Sequence, residues 1–239
     1  MNTRAVFEMP KSQARSLPVP SLDAGFLWEF MADGRTPARA MTDEAMRSML
    51  PALYGPGEIL ELGAGGDYYK RFIREGQRYA TSNLSSGCDR ILDMTRLALD
   101  DDSVDAIVSI FALEHVYEYG TAVREMRRVL KPGGRLLLVV PFLYFYHAAP
   151  DDFFRFSFSA LERLISPLEI LQRHSLGSRG LLISELLHEK AVLGSKRGPL
   201  ARVALRVLAL PFLVASLGKG DATYAVGHAL LCEKGWANR

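Results

Sequence analysis

The stretch Glu58-Ile59-Leu60-Glu61-Leu62-Gly63-Ala64-Gly65-Gly66-Asp67 decides the fold. Its apolar residues form a short run that is typical of a buried strand. Three glycines follow within four positions, and residues 68–74 then have helical spacing, with Asp67 as the expected N-cap. A strand, a glycine turn and a helix in this order present backbone N–H groups to a ligand in an open α/β sheet.

The spacing of the glycines limits the choice of ligand. A dinucleotide fingerprint would need a glycine where Tyr68 stands, and the P-loop pattern for phosphate is absent. What remains is Glu61 two residues before Gly63-x-Gly65. This pattern resembles the first motif of the class I S-adenosylmethionine-dependent methyltransferases, with Asp67 in place of the family's usual third glycine.

Two later segments strengthen this resemblance. Residues 113–116 read LEHV, and residues 128–141 read RVLKPGGRLLLVVP, a helix end, a turn and a buried strand. Both are similar to the type-11 branch of the family, and the resemblance covers Glu58 to Pro141. It implies a Rossmann-like α/β fold with a seven-stranded, mostly parallel sheet, order 3-2-1-4-5-7-6, and helices on both faces.

The connections depart from that scheme at two places. Only Leu84–Gly87 separates the strand that ends at Asn83 from the next one, Cys88–Asp93, which is too short for a crossover helix. One helix is therefore expected to be missing. Residues 176–220 also separate the two closing strands, Leu168–His174 and Ala222–Glu233, and they predict a helical insertion.

The domain boundaries follow from this reading. Residues 1–54 are expected to form an N-terminal arm and two helices, Leu22–Met31 and Thr42–Tyr54, which either cover a sheet edge or wall the substrate pocket. Residues 55–239 are expected to form the S-adenosylmethionine-binding domain.

The resemblance implies S-adenosylmethionine as the cofactor and places it at the strand ends. Glu61 is expected near its amino-acid end, Asn83 at the ribose, where an acidic residue is usual, and Asp93 at the adenine amino group. An amide can both donate to and accept from a hydroxyl group. The expected cofactor-binding residues are Glu61, Gly63, Ala64, Gly65, Asn83, Leu84, Asp93, Met94 and Phe111.

Residues 142–157 form an aromatic loop after the strand that ends at Pro141. One interpretation is a pocket that binds the acceptor and removes its proton, with His147, Asp152 and Arg155 as catalytic residues. The other is that Asp152 and Arg155 pair to fix a lid. The residues expected to line the substrate are Tyr144, Tyr146 and His115, the last of which could equally be a packing residue. Ser159 and Glu162 then predict a capping box.

The function predicted on this basis is methyl transfer to a small or lipid-linked molecule. O-methylation with His147 as the base is the first choice. C- or N-methylation is the enzymatic alternative, and a non-catalytic module that binds S-adenosylmethionine is the alternative from another class. A nicotinamide oxidoreductase is disfavoured by Tyr68.

Composition sets further limits. The chain has 239 residues, 49% hydrophobic, with a formal net charge of +2 and mixed signs, so no nucleic-acid-binding stripe is expected. The two cysteines and His174, His188 and His228 lack ligand spacing, and no metal site is predicted. No apolar run reaches the length of a membrane span, and no secretory signal is visible. A cytoplasmic setting is expected.

The sequence of the insertion predicts a contact with an apolar surface. Residues 200–217 are mostly apolar. Their polar members, Arg202, Arg206 and Ser216, would allow only the start of one helix face to be exposed to solvent. Residues 181–217 are thus expected to form a cap over the active site, a homodimer interface, or a peripheral membrane contact through the arginines.

Overall fold

The computed structural model describes residues 15–17, 28, 30–31, 36–148, 151–188, 198–218 and 220–236. Most of the predicted helix Leu22–Met31 lies outside these residues. Residues 189–197 of the insertion also lie outside them.

The described chain contains eight strands and five α-helices. The strands are β1 Arg15–Leu17, β2 Glu58–Leu62, β3 Arg78–Asn83, β4 Arg90–Ile91, β5 Val104–Ile110, β6 Leu130–Pro141, β7 Glu169–Leu176 and β8 Gly227–Glu233. The helices are α1 Pro37–Met49, α2 Tyr119–Val129, α3 Phe158–Ile165, α4 Arg179–Leu187 and α5 Pro199–Val214.

All eight strands form one sheet in the order β1-β7-β8-β6-β5-β2-β3-β4. Strand β8 pairs antiparallel with both of its neighbours, and the other pairs are parallel. When strands β2 to β8 are renumbered 1 to 7 and the sheet is read from the β4 edge, this is the predicted order 3-2-1-4-5-7-6. Strand β1 is an addition, because three residues of the N-terminal arm pair with β7.

The register brings the ends of the central strands to one edge. Leu60 lies opposite Ala80 in β3 and Ile107 in β5, and Leu62 lies opposite Ser82. Because the carboxyl ends of parallel strands share an edge, the loops after β2, β3, β4 and β5 all start there.

Helices cover both faces of the sheet. Alternate residues of a strand point to opposite faces, so Ile59 lies in one buried cluster and Leu60 in the other. Helices α1 and α4 bury apolar residues in the first cluster, and α2 and α3 bury theirs in the second. The N-terminal helix α1 therefore packs on a face of the sheet and shares its core, whereas cover of an edge was one expectation.

The segment after the glycine turn differs from the prediction. Tyr68–Phe72 is a short 3₁₀ helix in place of an α-helix, and the Asp67 side chain makes no capping hydrogen bond. Asp67 instead pairs with Lys70 at 2.9 Å. The Tyr68 hydroxyl donates to Asp43 of α1 at 2.9 Å. Helix α1 thus occupies the space that a longer helix after β2 would need.

Other boundaries were partly right. No helix lies between β3 and β4, as the short connection predicted. Helix α1 begins five residues before Thr42, because Thr36 accepts a capping bond from Arg39 and Pro37 takes the first helical position. The predicted capping box at Ser159 is wrong: Ser157 caps α3, and Glu162 pairs with Arg173 of β7.

The insertion is helical, as predicted, but two of its polar residues face the protein interior and not the solvent. Arg206 and Ser216 are buried, and the Arg206 guanidinium donates to the Met31 carbonyl. The exposed side of α5 is apolar instead, with Leu200 86% exposed. The expectation that the arginines expose the start of this helix to solvent is therefore wrong for Arg206. Other exposed apolar residues of α5 are Val203, Val207, Leu208, Phe212 and Val214.

Candidate active site

The glycine turn after β2 leaves its outer side open. The backbone N–H groups of Gly63 and Ala64 both donate to the Ser82 carbonyl, each at 2.9 Å, which holds the turn against β3. Gly63 has φ +77°, and an added Cβ would lie 2.4 Å from the Cβ of Ala112. At Gly65 an added Cβ would meet no atom within 4 Å. The inner glycine is required by packing, and the outer one faces free space.

Glu61 lies beneath this turn. Its side chain is buried, and its carboxylate accepts a hydrogen bond from the Tyr79 hydroxyl at 2.8 Å. Burial raises the pKa of Glu61 to about 7, although the Tyr79 hydrogen bond acts in the opposite direction. A positively charged group placed nearby would stabilise the ionised form.

Asn83 ties the end of β3 to the turn. Its Nδ2 donates to the Ala64 carbonyl at 2.8 Å, and its Oδ1 accepts from the Leu84 N–H at 2.7 Å. Each of these amide atoms still has capacity for one more hydrogen bond. The Leu84 side chain next to it is exposed. Asn83 thus both braces the turn and remains at the surface of the site.

The strand-end position after β4 holds Asp93 and Met94. The Asp93 Oδ1 accepts from the backbone N–H and the hydroxyl of Thr95, at 2.8 and 2.7 Å, and the side chain is exposed. The Met94 methyl group lies against Gly63, 2.9 Å from where a Cβ would stand. The Met94 contact brings the segment after β4 against the end of β2.

A second polar cluster at this edge was not predicted. Lys70 pairs with Asp67 and with Asp89, the latter at 3.2 Å. Asp89 also accepts from the backbone N–H and hydroxyl of Thr81, and these hydrogen bonds together with Lys70 lower the pKa of Asp89 to about 2. Sequence reasoning missed it because Asp89 was assigned to a strand that begins only at Arg90.

Phe111 follows β5 with an unusual backbone conformation. Its φ is +47°, a region that bulky side chains rarely adopt. Its N–H donates to the Val139 carbonyl at 2.9 Å, and its ring lies 5.7 Å from the Tyr144 ring. This turn places the carboxyl edge of the sheet directly beside the aromatic loop.

Asp152 and Arg155 hold the aromatic loop in shape. The Arg155 guanidinium donates to both carboxylate oxygens of Asp152 and to the Phe145 carbonyl, the latter at 2.8 Å. Asp152 accepts from the His147 backbone N–H at 2.9 Å. Arg155 lowers the pKa of Asp152 to about 2. These contacts favour the interpretation that the pair fixes the loop, and they bury the Asp152 side chain completely.

His147 lies between two carboxylates. Its Nδ1 is 3.2 Å from both the Phe145 carbonyl and Asp152 Oδ2, and its Nε2 is 3.4 Å from Glu114 Oε1. Burial opposes protonation, but the Glu114 carboxylate, the Phe145 carbonyl and Asp152 outweigh it, so the pKa of His147 lies above its usual value.

Glu114 is the residue of this site that the sequence reasoning missed. It is fully buried, and neither carboxylate oxygen accepts a hydrogen bond from any described residue. Besides His147, the neighbouring His115 points its Nε2 at Glu114 Oε1, at 3.8 Å. The only signal was its position in LEHV, directly before His115.

Tyr144 and Tyr146 have different surroundings. The Tyr144 ring lies 5.2 Å from the His147 ring and borders the site. Tyr146 is 71% exposed and points outward. His115 lies beside His147, with ring centroids 5.0 Å apart. The structure therefore brings together Tyr144, His115 and His147 but leaves Tyr146 at the surface.

Comparisons with known proteins agree with this geometry. Residues 60–138 match a family model described as "Methyltransferase domain", the type-11 group. The fold also matches the structure of an S-adenosylmethionine-dependent methyltransferase from Mesorhizobium loti, with a TM-score of 0.55, 16% identity and coverage of 81% of this chain and 98% of that chain.

Two curated relatives are similar over part of the chain. A demethylmenaquinone methyltransferase from Mycobacterium tuberculosis is 50% identical over 96 residues, which cover 35% of this chain and 41% of the relative. A ubiquinone/menaquinone biosynthesis C-methyltransferase from Caulobacter vibrioides is 36% identical over 109 residues, 34% of this chain and 43% of the relative. The matched stretch thus spans less than half the length of either.

The sheet order and the glycine turn define the class I methyltransferase fold. Within that class, residues 60–138 are similar to the methyltransferase domain of the type-11 branch. None of the helices in the described residues has both the length and the hydropathy needed to cross a membrane.

Proposed function

We propose that this protein transfers a methyl group from S-adenosylmethionine to a small or lipid-linked acceptor. The observation that carries the proposal is the junction between the open glycine turn and the aromatic loop, where the Phe111 and Tyr144 rings meet at 5.7 Å. A cofactor along the strand ends would present its methyl group toward the loop. The loop side chains Tyr144 and His147 would then surround the acceptor.

We assign to the strand-end residues the cofactor roles expected from the sequence. Glu61 and the glycine turn face the amino-acid end, Asn83 the ribose and Asp93 the adenine. The open space beside Gly65 supports this arrangement, because a ligand can approach the backbone closely there. The raised pKa of Glu61 fits a buried carboxylate that a cationic amino group would stabilise.

The chemistry proposed first is O-methylation. The acceptor oxygen attacks the methyl carbon, the carbon–sulfur bond breaks with its electron pair going to sulfur, and S-adenosylhomocysteine leaves. The hydroxyl proton passes to His147 Nε2. The contacts of His147 Nδ1 with the Phe145 carbonyl and with Asp152 orient the ring so that Nε2 faces Glu114. The protein supplies alignment and proton removal, and the cofactor supplies the reactive methyl group.

C-methylation is the second candidate, and the names of the relatives favour it. A ring hydroxyl next to the attacking carbon would lose its proton to the same imidazole. That carbon would form the bond to the methyl group as the carbon–sulfur bond breaks and S-adenosylhomocysteine leaves, and the proton on the carbon would then pass to water to restore the ring. The site therefore serves both reactions. A non-catalytic module would bind the cofactor without consuming it.

A direct assay separates these candidates. The chain is incubated with S-adenosylmethionine carrying a labelled methyl group and with phenolic and hydroquinone acceptors. We expect label in a product and an equal amount of S-adenosylhomocysteine, and mass spectrometry then locates the methyl group on oxygen or carbon. Cofactor binding with no consumption across both acceptor classes, and with lipid extracts, would support the non-catalytic module instead.

We further propose that the exposed side of α5 contacts a lipid surface. A helix on a water-facing surface normally points its polar residues outward, but here Arg206 is buried and Leu200, Val207 and Leu208 are exposed. Lys190, Lys196 and Arg197 precede the helix in the sequence and would attract anionic lipid. A membrane contact would give access to a lipid-linked acceptor, in line with relatives named for menaquinone and ubiquinone biosynthesis.

Vesicle flotation tests this contact. We expect the chain to float with vesicles of phosphatidylcholine and phosphatidylglycerol, and less with phosphatidylcholine alone. Leu208→Asp should abolish flotation, because a charge on the apolar face opposes insertion, whereas Leu171→Asp on the exposed side of β7 should not. A wild-type chain that ignores both vesicles and scatters light as a dimer would identify the face as a homodimer interface.

A further inference from the structure

The cluster of Glu114, His115 and His147 contains one carboxylate and two imidazoles around one point. Their nearest ligand atoms all lie within 4.8 Å of one another. Glu114 Oε1 lies 3.4 Å from His147 Nε2 and 3.8 Å from His115 Nε2. Nitrogen and oxygen atoms bound at about 2.0–2.2 Å to a shared cation lie about 3–3.5 Å apart, so a small inward movement would complete such a shell.

The second observation is the state of Glu114. Its carboxylate is fully buried, and both oxygens lack hydrogen-bond partners among the described residues. A buried polar group without a partner is costly, and a buried charge is more so. The carboxylate faces His147 Nε2 at 3.4 Å and His115 Nε2 at 3.8 Å, and neither contact is a hydrogen bond in the structure. A cation between the three groups would satisfy it.

The third observation is how the imidazoles are oriented. His147 Nδ1 faces the Phe145 carbonyl, and His115 Nδ1 contacts the Asp151 carbonyl. A carbonyl only accepts, so each Nδ1 donates to it, and each Nε2 is the ring nitrogen turned toward Glu114. Histidines that bind metals are oriented in this way, with the second ring nitrogen donating to a carbonyl or carboxylate.

We infer that Glu114, His115 and His147 form a binding site for one divalent transition-metal cation such as Zn²⁺, Mn²⁺ or Co²⁺. Two imidazoles and one carboxylate suit these cations better than Mg²⁺ or Ca²⁺, which prefer oxygen ligands. Three protein ligands leave positions open for an oxygen atom of the acceptor.

This inference deepens the proposed function and rests on it for its chemical role. A hydroxyl bound to the cation becomes more acidic, so its proton leaves to water before its oxygen attacks the methyl group. His147 is the base in the metal-free protein and a ligand in the loaded one. The site itself, however, can be tested without any turnover.

The test uses the full chain without a histidine tag, stripped with a chelator and dialysed. Calorimetric titration with Zn²⁺ or Mn²⁺ should show one cation per chain, and Co²⁺ should give visible absorption bands. Glu114→Gln keeps the shape of the side chain but removes the anionic ligand. It should weaken binding by more than the roughly 10–100-fold that loss of an outer partner causes, with an unchanged circular dichroism spectrum. His174→Gln, on β7, should bind as the wild type does.

The outcomes separate the two proposals. No binding by the stripped wild-type chain, or equal affinity in Glu114→Gln, would overturn the metal site and leave methyl transfer untouched. A bound cation without any methyl transfer would support the site and count against the proposed function. Full methyl-transfer activity in the stripped chain would overturn the chemical role of the cation.

Discussion

Gly65→Val is expected to abolish S-adenosylmethionine binding while leaving the fold intact. A Cβ at Gly65 meets no protein atom within 4 Å, and its φ lies outside the left-handed region, so the valine costs the apoprotein little. Its isopropyl group would occupy the space in which the ligand approaches the turn. We expect calorimetric titration to show an affinity loss of at least about a hundredfold, or about 3 kcal/mol.

The matched control is Gly55→Val. Gly55 also has open space around its Cβ position, but it precedes β2 and so lies at the opposite edge of the sheet. It should bind the cofactor with unchanged affinity. Gly63→Val is a poorer test, because its Cβ would collide with Ala112 and the fold itself would suffer. Unchanged affinity in Gly65→Val would remove the glycine turn from the cofactor site.

His147→Ala is expected to lower turnover by about 10²–10⁴-fold with a hydroxyl-bearing acceptor. The imidazole is held between Glu114 and Asp152 and lies beside Tyr144, and its loss removes the group proposed to take the acceptor's proton. Cofactor affinity should not change, because His147 lies in the loop beyond the strand ends. Steady-state kinetics and a separate cofactor titration measure the two effects.

Tyr146→Ala is the control for the loop. Its side chain is neighbouring in sequence but exposed, so turnover should stay within a few-fold of the wild type. Near-normal turnover of His147→Ala would instead make the histidine a packing residue of the loop.

The parts of the fold that the sequence predicted are those set by local patterns. The glycine turn, the apolar strands and the short β3–β4 connection each follow from a few neighbouring residues. Strand β1 could not be found in this way, because Arg15 pairs with His174 far along the chain. The helix expected after Asp67 failed for the same reason, since α1 takes its place on the sheet face.

The candidate site divides in a similar way. Glu61, Asn83 and Asp93 could be located because each lies at or just beyond the end of a recognisable strand. The role of Glu114 depends on a loop 33 residues later that turns His147 back toward it. The direction of Arg206 could not be read from α5, because a helix that is apolar nearly all round does not reveal which side faces the protein.

The account depends most directly on cofactor binding along the carboxyl ends of β2, β3 and β4. A crystal structure of the chain with S-adenosylhomocysteine would test it in one measurement. We expect the adenine beside Asp93, the ribose hydroxyls at Asn83, and the amino-acid portion against Gly63–Gly65 with the sulfur directed toward Tyr144 and His147. A ligand bound elsewhere on the protein, with this edge vacant at saturating concentration, would contradict the account.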